Sequence, residues 1–170
     1  MFKKWAVLFL GLVAPLASLA DDSLVKFKGG IGVIPVSSGQ GTAATATVVN
    51  RNIVRGVQPP GQIWRIADLM ADVKTDGSIK VRGRGLLLAG GNGIGGNANQ
   101  SVRATLICDP AGAALFDSGL VPLEANGDFR IDDVLSPFPP NPCASPVLLI
   151  RNPAGAWFAA GIVKLDRDDD

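Results

Sequence analysis

Ala67-Asp68-Leu69-Met70-Ala71-Asp72-Val73-Lys74 runs into Thr75-Asp76-Gly77 and then into Ser78-Ile79-Lys80-Val81-Arg82-Gly83-Arg84. Small or apolar residues alternate with larger, mostly charged ones on both sides of a short polar break. A strand repeats its side-chain direction every two residues and a helix every 3.6. The alternation therefore predicts two strands, and the break predicts a hairpin. A two-residue turn at Asp76-Gly77 would set Val73 against Lys80 and mix the faces. A three-residue loop, with Gly77 left-handed, sets Val73 against Ile79 and Ala71 against Val81. That register also sets Asp72 opposite Lys80 and Asp68 opposite Arg84. These charge pairs take no part in choosing the register, so they support it independently.

The same device recurs. Val121 and Leu123 precede Glu124-Ala125-Asn126-Gly127-Asp128, and Phe129 and Ile131 follow. A loop of Ala125 to Gly127 sets Leu123 against Phe129, Val121 against Ile131 and Glu124 against Asp128. Two further turns share one pattern, Asp109-Pro110-Ala111-Gly112 and Asn152-Pro153-Ala154-Gly155. Each reads as a type I turn, with Asx first, Pro fixing φ at the second position and Gly fourth.

Working outward, strands are expected at 24–28, 31–36, 43–49, 52–57, 63–74, 78–88, 101–108, 113–123, 129–134, 146–151 and 157–165. Residues 136–146 hold five prolines and Cys143, which rules out a central strand there. This segment is expected to be a crossover. The spacing of short strands and turns points to an all-β fold, an antiparallel β-sandwich of immunoglobulin-like or related Greek-key layout.

The first residues frame this domain. Met1-Phe2-Lys3-Lys4 is short and basic, an apolar run follows from Trp5 to about Ala17, and Ser18-Leu19-Ala20 precedes Asp21. This is the layout of a secretory signal peptide, and its apolar run is shorter than the ~20 residues of a membrane-spanning helix. We expect cleavage between Ala20 and Asp21, a single domain over 21–165, an acidic tail over 166–170, and a secreted or periplasmic location with no membrane span after cleavage. Cys108 and Cys143 are the only cysteines, and in an exported chain they are expected to form a disulfide.

Composition narrows the chemistry. The chain contains no His and no Tyr. Ser-His and Cys-His nucleophile pairs, imidazole bases and histidine-held zinc or copper are thereby excluded. The formal net charge is +1, and loss of Lys3 and Lys4 leaves 14 basic against 15 acidic residues, or −1. Neither value favours nucleic acid as a partner.

Gly91-Asn92-Gly93-Ile94-Gly95-Gly96 matches G-x-G-x-x-G but has no helix signal after it, so it reads as a loop rather than a nucleotide site. Asn92 and Asn97 in that loop are candidate ligand contacts. Arg82 and Arg84 share the charged face of their strand, with Arg65 and Arg103 as candidate neighbours, and could hold a sulfate, a phosphate or an acidic sugar. Trp64 and Trp157 are the tryptophans left after cleavage. Exposed, they would stack on sugars; buried, they would fill the core. Asp132 and Asp133 are adjacent on a strand and cannot converge on one ion.

The resulting expectation is an exported, non-catalytic module with a protein-interaction or envelope-structural role. A carbohydrate- or small-ligand-binding module is the first alternative and a carboxylate-dependent hydrolase the second. The expected partner is a protein or a glycan. No metal or other cofactor is expected.

Overall fold

The computed structural model describes residues 22–39 and 49–165. The expected leader, nearly all of the expected strand 43–49 and the acidic tail 166–170 lie outside the described residues. Within them the chain forms strands and no helix. In order these are β1 (Ser23–Gly32), β2 (Val36–Gly39), β3 (Val49–Arg51), β4 (Trp64–Arg65), β5 (Asp68–Lys74), β6 (Ser78–Arg84), β7 (Leu87–Leu88), β8 (Ser101–Ile107), β9 (Phe116–Asp117), β10 (Val121–Pro122), β11 (Phe129–Val134), β12 (Val147–Arg151) and β13 (Trp157–Val163). Every ladder is antiparallel.

The β5–β6 hairpin has the register that alternation predicts. Val73 faces Ile79, Ala71 faces Val81, Asp72 faces Lys80 and Asp68 faces Arg84. Gly77 has φ of 78°, and its N–H donates to Lys74 O at 3.0 Å. The Asp76 carboxylate accepts from the Ser78 hydroxyl and backbone N–H, and these bonds hold it below the usual carboxylate range. Leu69, Ala71, Val73, Ile79 and Val81 are buried, so this face lines the core.

The main sheet follows the order β10-β8-β12-β13-β1-β5-β6-β11 and curls into a half-barrel. Its two ends are tied together. Asp117 at the end of β9 and Ser136 just past β11 exchange both backbone hydrogen bonds. Glu124 and Asp128 close the turn between β10 and β11 with a left-handed Gly127. Joining the ends satisfies backbone groups that an open edge would leave unpaired.

Some expected strands are broken or merged. The expected 24–28 and 31–36 fuse into β1, which runs through Gly29 and Gly30 with a bulge against β13. The expected 113–123 splits into β9 and β10, and both pair with β8. At the break the buried Ser118 hydroxyl accepts from Ala104 N–H, replacing a ladder bond. The second hairpin keeps its turn but not its ladder, because Val121 faces Val102 rather than Ile131. The crossover after β11 forms no strand from Pro137 to Pro146, as its prolines require.

The interior is one apolar cluster, with Leu69, Ile79, Leu106, Leu148, Ile150 and Phe158 among its fully buried side chains. β4 crosses the end of β1 so closely that a Cβ on Gly32 would lie 2.2 Å from Trp64 O and 2.7 Å from Arg65 Cα. Both contacts are backbone, so they yield only by moving a strand. Gly32→Ala should therefore destabilise by roughly 1–3 kcal/mol. Gly61→Ala, whose Cβ meets nothing within 4 Å, should stay within about 0.5 kcal/mol of the parent. Urea midpoints would compare the two, and equal midpoints would refute the close crossing.

Candidate functional site

The outer face of β1, β5, β6 and β11 carries side chains in cross-strand rows. Residues directly opposite on neighbouring strands share a face, ~4.8 Å apart per strand. One row is Lys26, Asp72, Lys80 and Asp132, with charges alternating in sign. The next is Lys28, Met70, Arg82 and Arg130. This second row holds three cations and no carboxylate.

The carboxylates of the first row are engaged locally. Asp72 accepts from Ser23 Oγ at 2.7 Å and lies 3.1 Å from Lys74 Nζ. Lys74 also meets Asp22 at 2.7 Å. Hydrogen bonds to Asp22 and then Asp72 push the Lys74 ammonium above its usual range. The hairpin register sets Lys80 opposite Asp72, but its ion contact is Asp132, at 3.8 Å. In the neighbouring row Arg84 meets Asp68 at 3.0 Å. No ion pair among the described residues involves Lys28, Arg82 or Arg130.

These rows form a trough of about 540 Å³. Lys26, Lys28, Lys80, Arg82, Arg130 and Lys164 supply its cations, Asp72 and Asp132 its carboxylates, and Met70 the middle of its floor. Met70 is 48% exposed, a flexible apolar surface surrounded by cationic side chains. A smaller notch beyond Arg82 and Arg130 is bordered by Glu124 and Asp128. Asp128 is occupied there, accepting from Gly85 N–H and Asn126 Nδ2. Arg82 and Arg130 face each other directly, an arrangement that costs stability. Local rules broken without local compensation mark functional surface.

The other candidates are placed elsewhere. Trp64 is buried and stacks on Phe158, with ring centroids 4.0 Å apart. Trp157 is buried and donates Nε1–H to Asn52 O. Neither presents a ring face to a sugar. Asn97 fastens its loop, donating to Leu123 O and Glu124 O and accepting from Asn99 N–H. Asn92 is exposed at the loop tip, and strand β8 rather than a helix follows.

Arg103 is not beside Arg82. It sits on β8 opposite Arg151 of β12, and the two share Asp117 at 3.6 and 3.4 Å. Burial pulls the Arg151 guanidinium below its ordinary value, against the raising influence of Asp117. Arg65 lies on β4, paired with Leu87. Asp132 and Asp133 do diverge. Asp132 lines the trough, while Asp133 accepts from Gly119 N–H at 2.6 Å and staples the β9–β10 break to β11.

Sequence reading found Arg82 but missed Lys28 and Arg130. The alternation places each on the polar side of its own strand. Nothing local says that β1 and β11 flank the β5–β6 hairpin.

Among the described residues no group of three or more His, Cys, Asp or Glu stands ready for a metal ion, and no helix is long and apolar enough to cross a membrane. The outer rows here are charged, the reverse of the apolar band that a membrane barrel turns outward. Compared with known proteins, the chain matches no family model, no curated protein and no solved structure.

Proposed function

We propose that the chain is an exported, non-catalytic binding module that holds an anionic ligand in the trough of β1, β5, β6 and β11. One observation carries this reading: Lys28, Arg82 and Arg130 form a cross-strand row without a carboxylate. Of the three roles expected from the sequence, this favours the carbohydrate- or small-ligand module over the protein-interaction or envelope-structural one. The hydrolase reading has less support, since Asp72 is held by Ser23 and Lys74, and Lys80 stands in the row between it and Asp132.

A trough suits an acidic sugar chain, whose charges meet the Arg and Lys side chains while its ring faces lie on Met70. Export and oxidation fit the reading, because the leader-like N-terminus and the disulfide both belong outside a reducing cytoplasm. The scaffold can be read as the expected immunoglobulin-like sandwich if β10-β8-β12-β13 and β1-β5-β6-β11 are taken as facing layers. The β13–β1 ladder, bulged at Gly29 and Gly30, keeps the two halves in one curled sheet.

Retention on dextran sulfate tests the proposal. The parent chain should bind at low ionic strength and elute with salt, since exposed charges are screened within ~10 Å at 0.1 M. Arg82→Glu with Arg130→Glu should weaken binding by about tenfold or more, and leave the melting temperature unchanged or slightly raised. Arg103→Glu, remote from the trough, serves as the charge control. Equal retention of parent and double variant would overturn the reading.

A further inference from the structure

The chain has two Asn-Gly pairs, Asn92-Gly93 and Asn126-Gly127, and the fold treats them differently. A backbone amide nitrogen can attack the side-chain amide of the Asn before it, and Gly has no side chain to hinder the approach. At the second pair both partners of this attack are restrained. Asn126 Oδ1 accepts from Asp128 N–H at 3.0 Å, and Nδ2 donates to Asp128 Oδ2 at 3.1 Å. Gly127 N–H donates to Glu124 O at 2.8 Å.

At the first pair Asn92 is exposed, and among the described residues neither its side chain nor Gly93 N–H makes a hydrogen bond. The neighbouring bond, from Ile94 N–H to Gly91 O, is 3.3 Å, beyond the usual range. The loop is anchored at its base instead, where Gly95 N–H donates to Leu88 O and Leu88 N–H to Gly96 O. We propose that Asn92 is a site of spontaneous deamidation, and that the Glu124–Asp128 turn protects Asn126 from the same reaction. The Gly93 nitrogen bonds to Asn92 Cγ as the Cγ–Nδ2 bond breaks. Nδ2 leaves as ammonia, with the proton that the Gly93 nitrogen gives up. The resulting succinimide takes up water at either carbonyl and opens to aspartate or isoaspartate. Residues 89–100 carry no charged side chain, so this carboxylate is the loop's first charge. Isoaspartate also lengthens the backbone by one methylene between residues 92 and 93.

The test follows both sites in the folded parent chain under mildly alkaline conditions, by peptide mapping with mass spectrometry. Asn92 should convert at least about tenfold faster than Asn126, because three hydrogen bonds must break before Asn126 can react. In urea the gap should close, since both pairs are then Asn-Gly in an open chain. Gly93→Ala should slow conversion at Asn92 by crowding the attacking nitrogen. Its Cβ would meet only the end of the Leu88 side chain, 2.8 Å from Cδ1, so the loop should persist. Equal rates in the folded chain, or a faster rate at Asn126, would overturn the proposal. A gap that survives unchanged in urea would trace it to flanking sequence and overturn the role given to the fold.

Discussion

Replacing Cys108 and Cys143 together by serine should destabilise the oxidised chain by about 4 kcal/mol. The bridge joins residues 35 apart, with Cα atoms 4.7 Å from each other. In the chain-entropy account, closing a loop of that size restricts the unfolded ensemble by this amount. For a chain of this size the melting temperature should fall by roughly 8–16 °C. The bridge matters because its second cysteine lies in the proline crossover between β11 and β12. There the other ties include the backbone bond from Ser145 N–H to Cys108 O and the side-chain bond from Arg55 Nη2 to Ser145 Oγ. Differential scanning fluorimetry with and without reductant checks the result. Reductant should lower the parent to the level of the double variant and leave the variant unmoved. A parent indifferent to full reduction would show that the bridge contributes nothing.

Trp64→Ala should cost about 3–5 kcal/mol, the usual range for deleting a large buried aromatic. Trp64 is 4% exposed and its ring lies nearly parallel to Phe158. β4 and β7 pair over only two residues each, so much of their attachment runs through this ring. Phe158→Ala should cost a similar amount. The double variant should lose about 0.5–1.5 kcal/mol less than the sum, which is the coupling of the stacked pair. Urea denaturation of the four proteins measures this. In the parent, tryptophan emission should be blue-shifted and poorly quenched by acrylamide. Red-shifted, readily quenched emission would place the indoles at the surface and return sugar stacking to consideration. Below its melting temperature, Trp64→Ala should still bind dextran sulfate, since the ring is remote from the trough.

Local chemistry was legible to the residue where one turn controls one pair of strands. The β5–β6 register follows from loop length and period-two alternation, with no long-range information. Both Asx-Pro-Ala-Gly turns close as read: Gly112 N–H donates to Asp109 O and Gly155 N–H to Asn152 O. The second hairpin shows where such reasoning stops. Its Glu124–Asp128 turn forms, yet β10 leaves for β8 and β11 pairs with β6. The competing partner was a strand far away in sequence, invisible to any local rule.

By itself the sequence determined the all-β class, the antiparallel hairpins, the cysteine pair and the face to which each side chain of β5 and β6 points. These follow from turn geometry, alternation and composition, which act over a few residues. Only the tertiary structure decided the strand order, the curl, the burial of Trp157 and Phe158 on opposite faces of β13, and the gathering of Lys28, Arg82 and Arg130 into one row. The reason is physical. A period-two pattern states which face a residue shares within its strand, but neighbours across a sheet are chosen by the packing of the whole core.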